Sequence, residues 1–212
     1  MKKNRKNDTK LMDLVLPNKK INFFITTIMV LGIISGSIFL MMSSETDKVN
    51  VITQIETFFK NISNDSIDNG LALKNSLIIN YLFVGCIWIL GLSMIGIVIN
   101  IFLTYIKGFL VGFSLASIIL AYKSKGILAC ILYVIPVQII NIIVVILLSI
   151  YSIMFSLNLL EIVNSKSNKT KLIIKKYFII LILCIILSFI SSLLEVYLFP
   201  NLLKLVVKYY IK

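Results

Sequence analysis

Hydrophobic positions along this chain gather into five long uncharged runs, Ile21 to Ser44, Asn75 to Ile106, Gly108 to Tyr122, Gly126 to Leu160 and Tyr177 to Leu194, which take up more than half of its 212 residues. A surface helix of a soluble protein shows an apolar stripe and a polar face, whereas these runs are apolar all round. Roughly 20 apolar residues cross a bilayer core, and only helices or closed barrels satisfy the backbone there. The pattern therefore predicts an all-α fold, a polytopic integral membrane bundle of about five transmembrane helices. The spans fall near residues 21–43, 77–105, 108–122, 126–160 and 176–199. Residues 1–20 form a basic cytoplasmic segment, 44–75 an external loop and 200–212 an amphipathic tail.

Two runs are too long for a simple span. Within the second, Asn80 and Asn100 bracket a stretch matching the hydrocarbon thickness, which places Trp88 in mid-span against a partner helix. The run from Gly126 to Leu160 would extend about 50 Å as one helix. It contains Pro136, which removes a backbone donor and predicts a kink or break. Gln138 and Asn141 lie within a turn of that break and either satisfy the freed backbone groups or line a polar pathway. Small residues recur at helical spacing: Gly32 and Gly36 in the first span, Gly108, Gly112 and Ala116 in the third, and Ser149, Ser152 and Ser156 in the fourth. In lipid such seams let backbones approach, within the bundle or across a homo-oligomer. Gly91 and Gly96 belong with the packing glycines of the second span.

Outside the spans, Ile52, Ile55, Phe58, Phe59 and Ile62 recur every three or four positions and describe an amphipathic helix over Val49 to Ile62. Past Pro200, the residues Lys204, Lys208 and Lys212 form a stripe opposite Leu203, Val206, Val207 and Tyr210. Both stretches serve as headgroup anchors or as external docking faces. Phe58, Phe59, Lys204 and Lys208 are the candidate partner contacts.

A net charge of +12 would suggest nucleic acid for a soluble chain, but here the basic residues sit at span ends and meet anionic lipid headgroups. Their distribution sets an orientation. Seven of the first twenty residues are basic, so the N-terminus is cytoplasmic, with Lys107 and the Lys166 to Lys176 stretch on the same side. The 45–74 segment, the Lys123 and Lys125 hairpin and the C-terminal lysines are then external; a re-entrant fourth or fifth segment would instead bring the tail inside. No small-residue cleavage site follows the first run, which reads as a retained span. Cys86, Cys130 and Cys184 all lie inside apolar runs, where they pack as small residues rather than pairing or binding metal.

The chain has no histidine, so zinc motifs, Ser-His or Cys-His pairs and imidazole relays are excluded. It has no phosphate-binding glycine motif, and no two carboxylates share an apolar run. These absences predict no catalytic residues, cofactor or metal. Glu195, in SSLLEVYLF, is the acid embedded in apolar sequence; it pairs with Lys204 or the Lys123 and Lys125 hairpin, reaches water, meets a partner, or is protonated by desolvation and couples to protons.

The stretch from Trp88 to Gly96 (WILGLSMIG), Lys107 to Phe113 (KGFLVGF), Ile135-Pro136 with its following amides, Phe155-Ser-Leu-Asn-Leu and Ser191 to Pro200 together resemble the stage II sporulation protein M family. One departure is that the amide Gln138 stands two positions after the proline instead of next to it. The resemblance implies a non-catalytic membrane scaffold of the mother cell during engulfment. It also implies two partners at the septal membrane, stage II sporulation proteins D and P, the first a lytic transglycosylase and the second an amidase. The alternative from another class is a transporter or permease-like subunit, suggested by the Pro136 break and its amides.

Overall fold

The computed structural model describes residues 19–64, 66, 68–164, 169–198, 200, 201 and 204. The basic segment before Lys19, Lys208 and most of the amphipathic tail lie outside the described residues. Among the described residues six α-helices are defined in order: α1 (Lys19–Met42), α2 (Glu45–Ser63), α3 (Asn69–Leu90), α4 (Gly96–Ala129), α5 (Ile135–Asn164) and α6 (Lys169–Leu193). Two π-helical turns, Cys130–Val134 and Leu194–Leu198, precede α5 and follow α6. Among the described residues there is no strand.

Among the described residues four stretches are long and apolar enough to cross a membrane: Lys19–Met42, Asn69–Leu90, Gly96–Leu159 and Ile174–Leu198. The third contains a reversal. Lys123 adopts φ 50°, ψ −125°, the conformation of the first central residue of a type II′ turn. Beyond it the chain folds back, so that the Cys130 thiol donates to the Leu115 carbonyl at 3.7 Å. A straight helix would hold those residues about 22 Å apart. The 96–122 and 124–164 arms are thus antiparallel neighbours, and the described bundle is built from five arms.

Contacts give their directions. Gly108 lies against the Met29 carbonyl and Gly112 against the Ile33 carbonyl, so α1 and the first arm of α4 advance together as a parallel pair. The Ser37 hydroxyl donates to the Gly112 carbonyl at 3.1 Å in the same seam. α6 runs antiparallel to α5, with Phe155 stacked on Tyr177 at 4.4 Å and the Cys184 thiol reaching the Val144 carbonyl at 3.9 Å. The start of α1 and the end of α6 therefore lie at opposite ends of the bundle. Ile87, Leu148, Tyr177 and Cys184 sit in the central core, and large apolar side chains such as Phe23, Ile38 and Ile182 point outward, as lipid-facing positions do.

Several boundaries differ from the sequence-based ones. The second span is Asn69–Leu90, not 77–105; Asp68 caps its start by accepting from the Gly70 and Leu71 amides at 2.8 and 3.2 Å. Gly91 caps its end, and the chain turns within Gly91 to Ile95, a segment without charge. The third span then starts at Gly96 instead of 108. Trp88 consequently sits near a helix end rather than in mid-span. It packs as expected against a partner, with Tyr177 stacked at 5.9 Å, but its indole N–H is buried without a hydrogen-bond partner. Gly96 contacts the Leu90 carbonyl across the turn, so it serves the reversal and not a helix seam. Pro136 occupies the first turn of α5. The distortion that it causes lies one turn earlier, where the Ile135 amide donates to the Cys130 carbonyl five residues back.

Candidate functional site

The amphipathic segment forms α2, started by Ser44, whose hydroxyl accepts from the Asp47 amide at 3.2 Å. Its apolar face is already used inside this chain. Phe59 and Ile62 are each 2% exposed and pack on Ile118, Ala129, Cys130 and Val134, around the Lys123 reversal. Phe59 also contacts the Tyr122 ring at 4.9 Å. Phe59 is therefore a core residue and not a partner contact, because burial against α4 and the π turn removes it from any external face. Phe58, the next residue around the helix, stays 39% exposed and meets Tyr133 at 6.2 Å.

The two π turns converge on that position. Tyr133 belongs to the first and Glu195 to the second, and both line two adjoining cavities of about 310 and 290 Å³. The larger opens among Phe58, Ser76, Tyr197, Asn201 and Lys204; the smaller is walled by α2, Phe113, Ser117 and Gln138. A π turn widens the helix by one residue and shifts side chains from the regular 3.6-residue stripe, which brings Tyr133 and Glu195 inward.

Glu195 is held by a polar ladder from α3 and α6. The Ser76 hydroxyl donates to Glu195 Oε2 at 2.6 Å, and Ser76 and Asn80 both reach the Ser192 hydroxyl, at 2.9 and 3.0 Å. Further into the bundle lies Lys107. It is 7% exposed, and its ammonium stands 5.0 Å from the Phe83 ring centroid. The expectation that Lys107 marks a cytoplasmic loop is thereby corrected: the turn is at Gly91 to Ile95, and Lys107 lies in mid-helix facing protein.

Deeper polar groups tie the arms together. Asn100, Thr104 and Ser149 are fully buried; Ser149 donates to Asn100 Oδ1 at 3.0 Å, and the Thr104 and Ser149 hydroxyls lie 2.9 Å apart. Asn80 and Asn100 thus face the bundle interior and do not mark interfaces. Ser152 and Ser156 donate to the Ile87 and Ser93 carbonyls, each at 2.9 Å, so the serine seam acts through hydrogen bonds as well as small size. Gly32, Gly36, Gly108 and Gly112 line the α1–α4 contact, and Ala116, farther along, is half-buried. Gly91 packs beneath Tyr177 and Ser152. Asn141 is buried at 4%, and the Gln138 amide makes no hydrogen bond among the described residues, its Oε1 buried at the smaller cavity. Sequence reasoning singled out Glu195, Phe58 and Gln138 but missed Lys107, Tyr133 and Ser76, whose roles depend on which helices become neighbours.

Comparison with protein families matches stage II sporulation protein M over residues 25–200. The chain belongs to the stage II sporulation protein M family. The match runs from within α1 through both π turns to Pro200, so it takes in most of the five arms and the lining of both cavities apart from Asn201 and Lys204. Comparison with curated proteins and with solved structures finds no match. Family membership and the apolar helices together make this a sporulation-related membrane protein.

Proposed function

We propose that this protein is a non-catalytic membrane scaffold that recruits an amidase and a lytic transglycosylase, stage II sporulation proteins P and D, to the septal membrane for engulfment. The observation that carries the reading is the ledge at one end of the bundle, where α2, Glu195, Tyr197, Asn201 and Lys204 surround a half-open cavity. In this reading that end faces outward, the N-terminus is cytoplasmic, and the mother-cell membrane holds the protein as it migrates around the forespore. The absence of histidine supports a role without hydrolytic chemistry.

The test is capture of both hydrolases from solubilised membranes of sporulating cells by tagged protein, with Lys204→Glu and Lys208→Glu introduced together. Weaker capture with normal membrane insertion, reproduced by added salt, is the expected result. A second reading, solute passage, draws on one observation, the buried Lys107 in the middle of α4. Specific flux in proteoliposomes with no hydrolase captured would favour it over the scaffold.

A further inference from the structure

The two cavities are built for a ligand that carries an ammonium group. Glu195 is a strong acceptor: its Oε2 takes the Ser76 hydroxyl at 2.6 Å, and the two oxygens of a carboxylate accept several such bonds. Phe58 and Tyr133 wall both cavities and Tyr197 the larger one, so aromatic faces stand beside the carboxylate. The Gln138 amide, unpartnered with its Oε1 buried, adds a second vacant acceptor in the smaller cavity. The serine hydroxyls there are spent on their own helix, Ser117 on the Phe113 carbonyl and Ser114 on the Leu110 carbonyl. A carboxylate, an unused amide and aromatic faces recognise a cation with N–H donors.

The rest of the lining identifies its source. Asn69 and Lys204 in the larger cavity bear donors, beside Asn201, whose amide also donates to the Tyr197 carbonyl at 3.0 Å, and this polar rim suits an anionic group travelling with the cation. The smaller cavity is mostly apolar, between an interfacial helix and the spans, and suits a hydrocarbon chain. We propose that the paired cavities form a site for an aminophospholipid, with the phosphatidylethanolamine ammonium at Glu195, its phosphate near Asn69, Asn201 and Lys204, and part of an acyl chain beside Phe113 and Val137. The site occupies the same ledge that carries the scaffold reading, but its lipid preference does not depend on hydrolase capture.

The experiment uses the full chain purified in detergent. It is titrated with phosphatidylethanolamine, phosphatidylcholine and phosphatidylglycerol of identical acyl chains and read by native mass spectrometry and thermal stability. Phosphatidylethanolamine should be retained preferentially, and Glu195→Gln should cut that preference roughly tenfold through loss of a charge-assisted contact. Tyr133→Leu, which leaves the carboxylate in place, gives a second arm and should also weaken it. Equal retention of phosphatidylethanolamine and either other lipid, or a preference that survives both substitutions, overturns the proposal. A lysine-bearing helical peptide that binds in a Glu195-dependent way, with no lipid preference, would assign the cavities to a protein partner and overturn it as well.

Discussion

The Tyr177 hydroxyl donates to the Trp88 carbonyl at 2.7 Å across the space where Gly91 has no side chain. That one bond joins α6 to the end of α3 and satisfies a carbonyl at the helix terminus, and it depends on Gly91 for room. A Cβ at Gly91 would collide with the Tyr177 hydroxyl and the Ser152 hydroxyl and lie 3.0 Å from the Ser152 Cα. Ser152 is itself tied to the Ile87 carbonyl, so neither neighbour moves without losing a bond.

Gly91→Ala should therefore lower stability in detergent by about 1–3 kcal/mol, the cost of leaving buried polar groups unpaired. Tyr177→Phe alone should cost about 1 kcal/mol. Thermal unfolding of both single variants and the double variant gives the coupling: strict additivity would show that Gly91 and Tyr177 do not share this contact.

The α1–α4 seam makes a sharper contrast. Gly36 and Gly112 lie against the Phe109 and Ile33 carbonyls, so Gly112→Leu must push two backbones apart, at about 1–3 kcal/mol or more. Gly85 meets nothing within 4 Å, and Gly85→Ala should be neutral or stabilising by up to about 1 kcal/mol through helix propensity. Equal accumulation of the two variants in membranes would contradict this packing.

Lys123 holds a positive φ that side chains other than glycine adopt at a cost. Lys123→Gly should raise the melting temperature by an amount equivalent to about 1 kcal/mol, and Lys123→Val should lower it. A Lys123→Gly protein less stable than its parent would mean that the reversal is not the type II′ turn described.

Five crossing arms put Asp68 and Lys123 at one end of the bundle and Ser93 at the other. In a background lacking Cys86, Cys130 and Cys184, single cysteines at Asp68 and Lys123 should label with an impermeant reagent in intact cells, while one at Ser93 should require permeabilisation. The opposite pattern would invert the orientation; labelling of all three from one side would rule out five crossings.

The sequence by itself determined the all-helical membrane class, the apolar arms, the reversal near Lys123 and the amphipathic segment that becomes α2. These are local properties: the length of an uncharged run matches the bilayer, and a 3.6-residue apolar stripe needs only its own residues to be read. The tertiary structure alone decided the turn at Gly91 to Ile95, because a turn made of apolar and small residues has no charge to announce it. It alone decided that Lys107 is buried over Phe83, that Phe59 packs inward and that Tyr133 and Glu195 line the same cavities. Lipid and protein interior are equally apolar, so composition does not reveal which face of a span meets a neighbour. That choice is made by the close approach of Gly108 and Gly112 to α1, by the serine and asparagine hydrogen bonds between arms, and by two π turns that move single side chains off the regular helical stripe.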